Sequence, residues 1–132
     1  MRSAADRLFF VVLLVDAVLL AVAELAFLPL RVRDLAPGIG VDANWPLPLS
    51  VIVAGLTTPL LVKLAAGLST RLSVAAAPLL VWLLAVIGFG IAGPGGDLLL
   101  TNDWRPLAML AVGALPGAVV LGGVLGTTPA RA

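Results

Sequence analysis

Residues 74–93 read VAAAPLLVWLLAVIGFGIAG, a run with no charged side chain anywhere in it. Wound into a helix rising 1.5 Å per residue, a run of about 20 residues crosses a hydrocarbon core of about 30 Å. Three more stretches have the same character. Residues 8–30 (LFFVVLLVDAVLLAVAELAFLPL) are interrupted only by Asp16 and Glu24, and residues 49–68 (LSVIVAGLTTPLLVKLAAGL) only by Lys63. Residues 106–125 (PLAMLAVGALPGAVVLGGVL) again carry no charge. These four runs predict an all-α fold, a bundle of four transmembrane helices forming a single integral membrane domain over residues 1–132.

Composition points the same way. The chain is 61% hydrophobic and 11% charged, with too little charge to clothe a soluble domain of 132 residues. Its 8 basic and 7 acidic residues nearly cancel, which gives no basic patch for nucleic acid. Cysteine, histidine and tyrosine are all absent. Disulfides, thiolate chemistry, the usual zinc and haem ligands and the commonest general base are thereby excluded. The remaining acids assemble no nucleophile or metal site, so we expect no enzyme, no cofactor and no metal centre. Asp34, Asp42, Asp97 and Asp103 fall in the longer connections, where carboxylates keep loops hydrated and capped. The dominance of Arg over Lys and the wealth of Ala, Val, Leu and Gly fit a genome of high G+C content.

The amino terminus permits a competing reading. Arg2 and Arg7, an apolar stretch and the triplet Ala21–Ala23 resemble a secretory signal with a cleavage site. Asp16 interrupts that stretch, however, and the apolar run continues past Glu24 to Leu30. An uncleaved first span is the expectation. Basic residues near span ends then orient the chain in the plasma (inner) membrane. With the N-terminus inside, Arg2, Arg7, Lys63, Arg71 and Arg131 are cytoplasmic, against Arg31, Arg33 and Arg105 outside. The expected topology is N-in and C-in, with Trp45 and Trp104 as interface anchors just before spans two and four.

An echo in the outer connections suggests how the spans are grouped. Slid against itself by 58 residues, the chain places Asn44 on Asn102, Pro48 on Pro106, Leu49 on Leu107 and Gly55 on Gly113. With small gaps, PGIGVDANWPLPL (37–49) matches PGGDLLLTNDWRPL (94–107) in the order PG, G, D, N, W, P, L. Pro59 and Pro116 then fall within the second helix of each pair. The pattern predicts two tandem helical hairpins in parallel orientation, related about an axis along the membrane normal. The alternative is chance: Gly, Pro and Trp recur in any membrane-interface loop.

The run GPGGDLLL (93–100) after the third span, and PLPLSVIVAGL (46–56) opening the second, resemble a group of small four-span membrane proteins of actinobacteria without assigned chemistry. The resemblance covers about residues 40–110. It implies a multi-pass membrane protein with no catalytic residues to carry over.

Ionisable residues inside a membrane are functional candidates, because each costs at least about 2.5–3.5 kcal/mol at the bilayer centre. Asp16 is expected about 12 Å into span one, with Lys63 at a comparable level in the antiparallel span two. A buried Asp16–Lys63 ion pair is one reading, and an ion or proton site or a polar contact to a partner is the other. Glu24 lies nearer the outer end, with Arg31 on nearly the same helix face. Thr57 and Thr58 are placed to satisfy backbone groups freed by Pro59. Gly113, Gly117, Gly122 and Gly126 give two GxxxG spacings along span four, suited to close helix packing within the bundle or against a partner.

Two functions fit these features. The first is a structural or accessory membrane subunit, or an orphan cell-envelope protein, that sits in the lipid bilayer and associates through glycine-rich faces as a homo-oligomer or within a larger membrane complex. The second is a small ion- or proton-coupled transporter or efflux protein using Asp16. The chain is similar to the small multidrug resistance family in size and in a span-one carboxylate. It lacks the tyrosine and the aromatic-lined pocket of that family.

Overall fold

The computed structural model describes residues 3–31, 48–92 and 104–126. Four helices make up these segments: α1 (Ala4–Phe27), α2 (Leu49–Leu68), α3 (Leu72–Ile91) and α4 (Trp104–Gly126). Each is long and apolar enough to cross a membrane. The chain is thus an all-α four-helix bundle of multi-pass membrane type. Trp45, the acidic residues of the two longer connections and the loop motifs up to Leu47 and Asp103 lie outside the described residues.

α2 occupies the span expected for it, whereas α1 begins four residues before Leu8. A capping box accounts for the extra turn. Ser3 Oγ accepts the Asp6 N–H, and Asp6 Oδ2 accepts the Ser3 N–H, each at 3.1 Å. Asp6 also places negative charge at the positive end of the helix dipole. The helix stops at Phe27, just before Pro29, which has no N–H to continue it. Between α2 and α3 the turn is short, and Ser69 Oγ there accepts the Arg71 N–H at 3.2 Å. α4 starts at Trp104, so Pro106 falls in its first turn, where a missing N–H breaks no helical bond. Pro59, Pro78 and Pro116 lie inside α2, α3 and α4, and all three helices run on through them.

The helices are not equally placed. α2 and α3 form the central pair, and α1 and α4 each lean on both of them from opposite sides. Among the described residues α1 and α4 do not pack along each other, while the most extensive contact is between α2 and α4. α3 and α4 run antiparallel: Trp82 lies against Gly113, and Leu79, one turn back, lies against Gly117, one turn on.

Small side chains let the backbones approach. Ala17 and Ala21 of α1, Ala54 and Ala65 of α2 and Ala75 of α3 are all fully buried. Trp82, Val86, Val62 and Met109 fill the space between them. Many large aliphatic residues point the other way: Leu107 is 70% and Val119 73% exposed. An apolar outer surface of this kind is matched to lipid rather than to water.

Candidate functional site

Ala17, Ala21, Glu24 and Leu28 recur at helical spacing and form the buried stripe of α1 and its C-terminal cap. Glu24 therefore points into the bundle, where it is 2% exposed. Its Oε2 accepts the indole N–H of Trp82 on α3 at 2.8 Å. Its Oε1 accepts the Thr57 hydroxyl of α2 at 3.3 Å, and its main-chain carbonyl accepts the Ser50 hydroxyl at 2.6 Å. One residue of α1 thus ties two neighbouring helices to it. Arg105, in the first turn of α4, donates to the carbonyl of Leu28 at 3.1 Å, so α4 begins at the level where α1 ends.

The α2 hydroxyls extend the network. The single hydroxyl hydrogen of Thr57 is shared between Glu24 and the Val53 carbonyl at 2.8 Å, and that of Thr58 between the Ala54 carbonyl at 2.9 Å and the Gly113 carbonyl of α4. Within α2 these bonds reach Val53 and Ala54, not the Gly55 carbonyl that Pro59 leaves open. Trp82, with no exposure, completes the link. A Cβ on Gly113 would lie 2.4 Å from its ring edge, so the absence of a side chain there makes room for the indole.

Asp16 and Lys63 stand elsewhere. Both side chains are exposed on the outside of the bundle, and no ion pair between them is found among the described residues. Because α1 starts at Ala4, Asp16 lies about 18 Å along the helix from its first residue, close to the helix midpoint. Arg31 lies beyond the end of α1, off the helix that carries Glu24. Trp104 is 57% exposed at the start of α4.

The four glycines divide into two pairs. Gly113 and Gly117 are buried against Trp82 and Leu79. Gly122 and Gly126 have nothing within 4 Å of where a side chain would begin.

The contacts also follow the 58-residue offset. Glu24 and Trp82, hydrogen-bonded to each other, are 58 residues apart. Gly55 abuts Val112 and Gly113 abuts Ala54; shifting 55 to 113 and 54 to 112 converts one contact into the other. The sequence signal that singled out Gly55 and Gly113 did not extend to Glu24 and Trp82, because a carboxylate and an indole do not score as alike.

An apolar groove of about 200 Å³ opens between α1 and α2, bordered by Leu20, Ala23, Phe27, Leu49 and Val53 beside the Glu24–Ser50 link. Among the described residues there is no group of three potential metal ligands, and no buried side-chain nitrogen or oxygen lacks a hydrogen-bond partner. The polar cluster is chemically a clamp: its donors and acceptors are spent on one another across helix boundaries. No protein-family model, curated protein or solved structure matches this chain.

Proposed function

We propose that the chain is a structural or accessory subunit of the plasma membrane that works by assembly and not by catalysis. The observation that carries this reading is the division of its intramembrane polar groups. Those inside the bundle are consumed in helix-to-helix hydrogen bonds around Glu24, whereas Asp16 stands at mid-span on the outer face. A carboxylate at that depth is expensive against lipid and is normally turned towards protein. Its outward aspect supports a partner there.

The two-hairpin organisation belongs to the same proposal. Supporting it are the loop echo and the contacts that obey the 58-residue offset. The orientation we favour is N-in and C-in, supported by the distribution of Arg and Lys about the spans. Transport through Asp16 is the second reading. Since Asp16 lies outside the bundle, such a pathway would have to run between chains.

The test is purification from the source membrane under mild detergent, followed by native mass spectrometry. Stoichiometric association, with itself or with another membrane protein, is the expected result. A chain that travels alone, or an Asp16→Asn variant that abolishes a transport activity at unchanged protein level, overturns the reading.

A further inference from the structure

Asp16 and Lys63 carry opposite charges, are both exposed, and belong to adjacent helices. Their depths also agree. Glu24 of α1 is bonded both to Ser50 and to Thr57 of α2, so it is level with that stretch. α2 begins where α1 ends, and eight residues further into the bundle along α1 is Asp16. The corresponding stretch of α2, residues 58–65, contains Lys63. Each charge also continues a helical stripe that borders the α1–α2 groove: Asp16 with Leu20, Ala23 and Phe27, and Lys63 with Leu49, Val53, Leu56 and Leu60.

We propose that this α1–α2 face is where a second copy of the chain docks, with Asp16 of each copy paired to Lys63 of the other. A twofold axis along the membrane normal preserves depth, so charges that are level within one chain remain level between two. It also sets α1 of one copy beside α2 of the next, which makes the contact isologous and supplies both ion pairs at once. The exposed apolar groove is covered by the same contact. Each charge leaves lipid for an opposite charge in a medium of low dielectric, where the attraction is strong. The proposal rests on the reading of the chain as an assembling subunit and names the partner.

Two differently tagged copies, co-expressed and captured in mild detergent, test it. Wild-type copies capture each other. Asp16→Lys alone, or Lys63→Asp alone, sets like charges opposite one another and lowers co-capture at least about tenfold. One copy carrying Asp16→Lys together with one carrying Lys63→Asp restores it, because the two substituted positions pair with reversed sign while the second pair keeps its natural Asp16 and Lys63. Failure of that mixture, where the double swap within one chain works, would place the ion pair inside a single chain and overturn the proposal.

Cysteine cross-linking keeps the question open to refutation should a swapped chain fail to accumulate. The natural sequence has no Cys, so Leu20→Cys in one copy and Leu56→Cys in the other introduce one reporter each, on the α1 and α2 stripes that the contact brings together. These two copies should form a disulfide-linked dimer, and Leu20→Cys mixed with Val119→Cys on α4 should not. Absence of the Leu20→Cys/Leu56→Cys dimer refutes the interface. Co-purification with a different protein and no self-capture also refutes it, yet leaves the subunit reading standing; a solitary monomer removes both.

Discussion

The indole N–H of Trp82 donates to the Glu24 carboxylate at 2.8 Å, and the far edge of the same ring occupies the space that Gly113 leaves by having no side chain. This one side chain of α3 therefore reaches residues of both outer helices, Glu24 of α1 and Gly113 of α4.

Removing the donor while keeping the bulk isolates the hydrogen bond. Trp82→Phe should lower stability by about 1 kcal/mol, read as a shifted midpoint in detergent unfolding followed by circular dichroism. The figure is near the middle of the range for hydrogen bonds between membrane helices, because Glu24 keeps its Thr57 contact and an unfolded chain in lipid finds other partners. Trp82→Ala empties the core as well, and should cost about 3–5 kcal/mol.

Glycines of α4 should respond in opposite ways. A methyl at Gly113 meets Trp82 at 2.4 Å and Ala54 at 3.2 Å, and the buried ring has little room to retreat. Gly113→Ala should cost about 1–3 kcal/mol, whereas Gly122→Ala, which meets nothing within 4 Å, should leave the unfolding midpoint unchanged. Equal effects at the two sites would contradict the packing described.

The Thr58 hydroxyl joins α2 to the Gly113 carbonyl. Thr58→Val retains shape and loses the bond, at a cost of about 0.6 kcal/mol, the average for polar contacts between membrane helices. Combined with Gly113→Ala, its effect should be non-additive, since both act on one contact.

Ser3→Ala tests the first turn of α1. Loss of the capping box should cost about 0.5–2 kcal/mol and show as faster amide exchange confined to the start of the helix.

The spans were legible in the sequence because a run of apolar residues reports its own length. Which way each helix turns was not, because every face of such a helix is apolar and the usual contrast between core and surface disappears. Asp16 illustrates the difficulty: it lies one residue from Ala17, about 100° around the helix, and that step separates the outer face from the core. On α1 the buried side carries the small residues Ala17 and Ala21 at helical spacing together with Leu13 and Leu25, so hydrophobicity alone does not single it out. Glu24 falls on that stripe, seven residues after Ala17, so its inward aspect could have been read from the alanines. Its pairing with Trp82 could not, since nothing in composition foretells which helix lies opposite.

Glu24 and Trp82 occupy one position in a 58-residue frame, and they touch. Two free copies of a single hairpin would have to bring like to like at such a place. Carboxyl would face carboxyl, or indole would face indole, and neither couple reproduces the indole N–H donated to a carboxyl oxygen. Continuity of the chain removes that constraint by allowing the two sides to differ. The turn that joins α2 to α3 is thus more than a tether: by making positions 24 and 82 parts of one chain, it permits an unlike couple at a place where self-association would enforce sameness.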